Sequence, residues 1–247
     1  MIFPVVEAVD VRKNFEMVEV LRGVSFTVSK GETLVVMGGS GTGKTVLLRL
    51  IAGLIRPTAG QIRVFGRNIE HLTEEELLPI RRRMGYVFQG AALFDSLSVH
   101  ENVAYPLREQ TSLREPEIEA RVVGNLSQVG LGREVLPLLP AELSGGMRKR
   151  VGIARALSVE PEMLLFDEPT GGLDPTNSKL VGELILQVRG GACDTAIVVT
   201  HDLELAKTVA DRVAILIGGR FAAFGPVAAV IETDNPAVQA FLAGEAR

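Results

Sequence analysis

Gly38-Gly39-Ser40-Gly41-Thr42-Gly43-Lys44-Thr45 satisfies the pattern G-x-x-x-x-G-K-[ST] at every position. Thr33 to Met37, just before it, is a short apolar run rich in β-branched residues, the pattern of a strand buried on both faces. A helical segment is expected from Lys44 to about Ile55, closed by Pro57-Thr58-Ala59-Gly60. Strand, glycine turn and helix in this order form a phosphate cradle. Glycines let backbone N–H groups converge on anionic oxygens, and the helix N-terminus adds a favourable dipole. Lys44 supplies a cation for terminal phosphates and Thr45 a hydroxyl for magnesium.

Outward from the cradle, Val24, Phe26 and Val28 alternate with polar or small neighbours, so the chain up to this point is expected to form short strands. Gln61–Phe65 and Gly85–Phe88 read as further strands. From Gln89 to Val159 strand signals give way to helix signals. Ser98-Val99-His100-Glu101 has capping-box spacing, and Pro116 is placed to open a helix running to about Val129. Alternation then resumes, with strands at Met163–Phe166 and Thr195–Val199 and helices at Thr176–Arg189 and Leu203–Ala210. A hairpin is expected about Gly218-Gly219. Repeated strand–helix units imply a parallel sheet covered on both faces. The expectation is one domain over 1–247, with 1–88 and 160–247 as the core and 89–159 as a helical insertion.

Composition bounds the rest. The 247 residues carry a net charge of −4, which gives no positive field for nucleic acid. The single cysteine, Cys193, forms no intrachain disulfide and reads as a packed thiol. The start of the chain lacks a basic segment followed by an apolar run, so no signal peptide is expected, and no apolar stretch is long enough to span a bilayer. The last few residues are expected to fray. Arg81-Arg82-Arg83 reads as a solvated helix face, because three charges fall short of a polybasic cluster.

Two further motifs carry chemistry. Met163-Leu164-Leu165-Phe166-Asp167-Glu168 is an apolar strand ending in two acids. Asp167 suits magnesium held through water, and Glu168 suits a general base or water-orienting group. Leu143-Ser144-Gly145-Gly146-Met147 places a serine and two glycines before a helical run, Arg148–Ser158, a second candidate anion site.

Phosphate loop, LSGG and strand-Asp-Glu in this order resemble the ABC ATPases over essentially the whole chain. The resemblance implies a P-loop NTPase (RecA-like) α/β core, an antiparallel β subdomain and an inserted α-helical signature subdomain. It implies ATP and Mg2+ as cofactors and a homodimer, in which Ser144, Gly145 and Gly146 close over ATP bound by the other copy. By the same resemblance Phe15 stands where an aromatic stacks on adenine, though tyrosine is commoner there. Gln89 stands where a glutamine contacts magnesium and water, Asp174 lies in the loop crossing the dimer interface, and His201 contacts the γ-phosphate. Val46 replaces a hydroxyl common near the α-phosphate, leaving its backbone N–H to serve.

The segments Phe88–Val99, Glu101–Glu109, Gly41–Leu48, Leu143–Arg150 and Asn235–Gly244 look like the ATPases of Mla/Mce-type phospholipid transporters. That likeness implies integral-membrane permease subunits, an Mce-type lipid-binding protein, a small regulatory subunit, and a place on the cytoplasmic face of the bacterial inner membrane. Lipoprotein release, amino-acid import, cell division and DNA maintenance are the alternatives among ABC ATPases. Phe88, Leu93 and Phe94 read either as core or as the groove receiving the permease.

Overall fold

The computed structural model describes residues 4–191 and 193–244. The expectation of a fraying C-terminus falls on residues 245–247, outside that range. The chain divides into two compact units, Met1–Arg81 with Thr195–Arg247, and Arg82–Asp194. The expected helical insertion at 89–159 lies inside the second unit, which also takes in the strands and helix flanking it.

The first unit holds two sheets. Strands β1 (Val6–Phe15), β2 (Val18–Val28), β4 (Ala59–Val64) and β5 (Arg67–Asn68) form an antiparallel sheet in the order β2-β1-β4-β5. The first two are long, ten and eleven residues, where short strands were expected. A register shift explains the difference: Asp10 has φ 47° and interrupts the alternation of Val6, Ala8 and Val11. In the other sheet β3 (Thr33–Met37) lies between β8 (Thr195–Thr200) and β9 (Arg212–Ile217), parallel to both. Every residue of β3 and β8 is buried, which explains their unbroken apolar character. Strand β10 (Arg220–Pro226) returns antiparallel on β9, through Gly218 and Gly219, whose positive φ values suit a tight hairpin.

Helix α1 (Lys44–Ile51) is shorter than expected. Eight residues are marginal as an isolated helix. Leu47, Leu48, Leu50 and Ile51 are all buried, and each such side chain contributes about 1.5–3 kcal/mol. Tertiary packing therefore decides that this segment is helical. Helix α2 (Glu74–Arg81) contains Pro79 and was not evident from sequence. Helices α7 (Leu203–Val209), α8 (Val227–Ile231) and α9 (Pro236–Leu242) complete the unit.

The second unit contains parallel strands β6 (Met84–Val87) and β7 (Met163–Asp167). Around them are helices α3 (Val99–Gln110), α4 (Glu115–Gln128), α5 (Gly145–Leu157) and α6 (Pro175–Arg189). Their starts are encoded locally. Ser98 and Glu101 form a complete capping box on α3, Pro116 sits in the first turn of α4, and Asp174 caps α6 ahead of Pro175. The arginine run is a solvated face only in part: Arg82 is exposed, while its neighbours are engaged. Arg81 donates to the carbonyls of Ala52 (3.2 Å) and Gly53 (2.6 Å), and Arg83 forms a two-pronged pair with Glu162 at 2.6 and 2.9 Å. The chain ends of α1 and the start of β7 claim these side chains, which a reading of local charge does not foresee. Among the described residues, no helix is long and apolar enough to cross a membrane.

Candidate functional site

In the first unit, β3 delivers the chain into the turn Gly38–Gly43. Only glycine fits at two of its positions. A Cβ on Gly38 would lie 2.6 Å from the Leu216 carbonyl oxygen, and Gly43 combines φ 104° with Val20 and Leu21 side chains at 2.9 and 3.0 Å from the same place. Thr42 Oγ1 donates to the Gly39 carbonyl at 3.0 Å, holding the turn closed. Lys44 is buried, and its Nζ donates to the carbonyls of Gly38 (2.8 Å) and Gly39 (2.9 Å). Thr45 and Val46 occupy the first turn of α1, whose N-cap, Gly43, has no side chain with which to cap it. His201 follows β8 and is exposed, while Asp202 caps α7 by accepting from Leu205 N at 3.0 Å. Gly39, Ser40 and His201 line one cavity of about 320 Å³, which Phe241 and Leu242 of α9 also border. The structure thus brings His201 and the glycine turn together. Phe15 stands at the tip of the β1–β2 hairpin, 45% exposed, with Lys13 Nζ 4.9 Å from its ring centre. It is an accessible aromatic face.

In the second unit, β7 carries Asp167 and Glu168 into the interior, where both are buried. Tyr86 Oη donates to Asp167 at 3.3 Å. Glu168 has φ 47°, a left-handed backbone that costs a non-glycine residue of order 1–3 kcal/mol. Its carbonyl accepts from Gly171 N at 3.0 Å and from Lys149 Nζ at 3.2 Å. The same ammonium donates to the carbonyl of Gln89, which follows β6 and is exposed. Burial pulls the Lys149 ammonium below the ordinary lysine range, and the negative charges of Glu168 and Asp167 act against that shift.

Ser144 caps α5 by accepting from Met147 N at 3.2 Å. A Cβ on Gly146 would lie 2.8 Å from Asn177 Oδ1, so the glycine is required by the approach of α6. Asn177 is itself fixed by Asp174, which accepts its backbone N–H at 3.0 Å and its side-chain amide at 2.5 Å. The backbone N–H of Asn177, then its amide, hold the Asp174 carboxyl below the usual carboxylate range. Gly146 and the turn that carries Asp174 are thereby joined through Asn177. Sequence reading did not single out Asn177, Lys149 or Tyr86. A lysine on a helix reads as surface, and only the fold reveals its burial.

Phe88 and Phe94 are 38% and 45% exposed, and with Tyr86, Tyr105 and Arg155 they border a groove of about 310 Å³. Neither ring therefore belongs to the buried core. Leu93 does not border the groove. Asn102 is buried and holds the Phe94 backbone, accepting from Phe94 N at 2.8 Å and donating to the carbonyls of Phe94, Leu97 and Ser98.

No cluster of three or more His, Cys, Asp or Glu side chains suited to a metal occurs among the described residues. Magnesium on a nucleotide asks for less, one or two hard oxygen ligands beside phosphate and water. A buried carboxylate at Asp167, an amide oxygen at Gln89 and a hydroxyl at Thr45 are oxygen donors of that kind.

The family model described as ABC transporter matches residues 21–171. The Escherichia coli (strain K12) intermembrane phospholipid transport system ATP-binding protein MlaF is 41% identical over 221 residues, covering 90% of this chain and 82% of that protein. The probable ribonucleotide transport ATP-binding protein mkl of Mycobacterium tuberculosis (strain ATCC 25618 / H37Rv) is 39% identical over 245 residues, 98% of this chain and 68% of its own length. A solved dimeric structure of the ATP-binding cassette MJ0796, in a post-hydrolysis state bound to ADP and Pi, superposes with a TM-score of 0.82 at 31% identity, covering 90% of this chain and 98% of that one.

Proposed function

Because the chain belongs to the ABC transporter family and is an ATPase of that family, we propose that it powers the movement of phospholipid between bacterial membranes. It does so as a homodimer on the cytoplasmic face of the inner membrane, bound to integral-membrane permease subunits, with an Mce-type lipid-binding protein and a small regulatory subunit. The observation that carries the cargo is the likeness, over nine-tenths of the chain, to the relative named for intermembrane phospholipid transport. The apolar groove beside Gln89 supports a permease contact, since its exposed aromatics form a patch that a helix can cover.

The roles assigned to the residues follow their chemistry. Backbone N–H groups of Gly39–Val46 receive the phosphates, and Phe15 stacks on adenine. Lys44 exchanges its present carbonyl partners for phosphate oxygens, trading neutral acceptors for charged ones. Thr45, Asp167 and Gln89 are the residues that would hold Mg2+, and the ion would offset phosphate charge and polarise the γ-phosphoryl group. Glu168 orients the attacking water and takes its proton, the task of a buried carboxylate in a fixed backbone. His201 donates to the γ-phosphate. Ser144, Gly145 and Gly146 of the partner copy close over the nucleotide, and Asp174 lines the crossing between copies. ATP binding favours the closed pair and hydrolysis the open one, and that difference in affinity drives the permease.

The test is purification of the native complex through a tag on this chain, followed by mass spectrometry of what it carries. Phospholipid, together with a permease and an Mce-type protein, is the expected result. A ribonucleotide cargo would favour the reading attached to mkl, and a soluble amino-acid-binding partner would refute the phospholipid assignment.

A further inference from the structure

One face of α5 grips the chain that follows β6. Lys149, Gly152 and Arg155, three residues apart, lie on a single side of that helix. Lys149 donates to the Gln89 carbonyl, and a Cβ on Gly152 would come within 3.1 Å of the Ala91 side chain. Arg155 donates to the carbonyls of Ala91 and Ala92, both at 2.7 Å. Ala91 and Ala92 have φ of 61° and 46°, so the strained stretch is held where strain must be opposed by fixed partners. Lys149 alone of the three also reaches the residue that follows β7, donating to the carbonyl of Glu168, the third left-handed residue in this neighbourhood. A buried ammonium thus ties together the helix that begins at Ser144, the backbone of Gln89 and the backbone of Glu168.

Resting on the proposed role of Glu168 as the group that orients water, we propose that Lys149 is a positioning residue for hydrolysis, fixing the Glu168 and Gln89 backbones to the signature helix. Movement of α5, or of residues 89–92 from the groove side, is passed to the Glu168 backbone by this side chain. The ammonium touches no reacting atom. Its loss shifts a left-handed peptide, and displacement of a catalytic group by about 1 Å costs up to about 100-fold in rate. Nucleotide affinity, which the glycine turn provides, is left alone.

The experiment compares Lys149→Met, Lys149→Arg and Glu168→Gln in the complex purified through a tag on this chain, measuring kcat, KM and the Kd of a fluorescent ATP analogue. Lys149→Met, of similar length but without donor or charge, is expected to lower kcat by about 10- to 100-fold with KM and Kd within about threefold. Lys149→Arg, which keeps donors and charge, is expected to restore kcat to within about fivefold of the parent. A Lys149→Met enzyme at parental kcat beside an inactive Glu168→Gln overturns the inference while leaving the function of Glu168 intact. Full turnover in Glu168→Gln overturns the underlying reading and the inference with it. Equal losses of kcat and affinity, or no rescue by arginine, reduce Lys149 to a packing residue and overturn the inference. Should Lys149→Met not accumulate as folded protein, Lys149→Gln, which keeps one amide donor on a shorter stem, is expected to show the same loss of kcat at unchanged KM, and undiminished turnover there is equally decisive against it.

Discussion

The helices α1 and α5 both begin with glycine and hydroxyl residues, yet they begin differently. The N-cap of α1 is Gly43, with no side chain to offer its first turn. The N-cap of α5 is Ser144, whose hydroxyl already accepts from Met147 N. A helix N-terminus is positive, and what meets that field differs in the two cases. At α1 the sequence leaves the task to an anion, and a buried lysine lies alongside. At α5 the protein answers part of its own demand, so an incoming phosphate must displace or share a bond that is already made. In the function proposed above, the first binds nucleotide within one copy and the second responds when another copy brings nucleotide to it. Helix α3 marks the far end of the series, because Ser98 and Glu101 cap it reciprocally and leave nothing for a ligand.

Three substitutions separate these starts. Ser144→Arg puts a bulky cation at the tip of α5. Turnover that depends on pairing is expected to fall by more than about 100-fold, while nucleotide affinity of the single chain stays within about threefold. Parallel steady-state ATPase and equilibrium titrations check this, and retained cooperative hydrolysis would erase the distinction between α1 and α5. Lys44→Ala removes the cation beside α1 and should weaken ATP binding by at least about tenfold, or about 1.4 kcal/mol, through loss of charge-assisted hydrogen bonds. An unchanged Kd would mean that α1 is no more an anion site than α5. Glu101→Gln tests the self-capped end and should alter only stability. Backbone and then hydroxyl hydrogen bonds from Ser98 hold the Glu101 carboxyl below its ordinary value. A lowered carboxylate contributes stability above the unfolded pKa near 4.3, and that contribution is lost as pH falls through the folded value. Urea midpoints at pH 7 and pH 4 should therefore differ less in Glu101→Gln than in the parent, with ATP turnover at pH 7 unaffected.

The same contrast explains what the sequence could disclose. The glycine turn is legible because its constraints are local: Gly38, Gly41 and Gly43 each answer a backbone conformation or a close approach, and Lys44 and Thr45 follow at fixed spacing. Ser98 is legible as a cap for the same reason, whereas the cap at Asp174 emerged only with the fold. The long strand β1 was hidden because the left-handed residue at Asp10 shifts the register and breaks the period of two on which strand reading depends. Helix α2 was hidden because Pro79 argues against a helix whose apolar side, Leu77 and Ile80, is stabilised only by tertiary burial. Arg81 and Arg83 were misread because their partners, Ala52, Gly53 and Glu162, lie distant in sequence. Lys149 and Asn177 belong to that class as well. Their roles exist only once α5, α6, β6 and β7 have packed, and no spacing rule records that.

The central claim is that nucleotide is held between two copies until Glu168 permits hydrolysis. Sedimentation of Glu168→Gln, with and without Mg-ATP, tests it most directly. The expected result is a stable nucleotide-bound dimer with turnover reduced at least about 100-fold, where the protein without nucleotide shows less association. A variant that hydrolyses at the parental rate, or that keeps ATP tightly bound as a single copy, would contradict it.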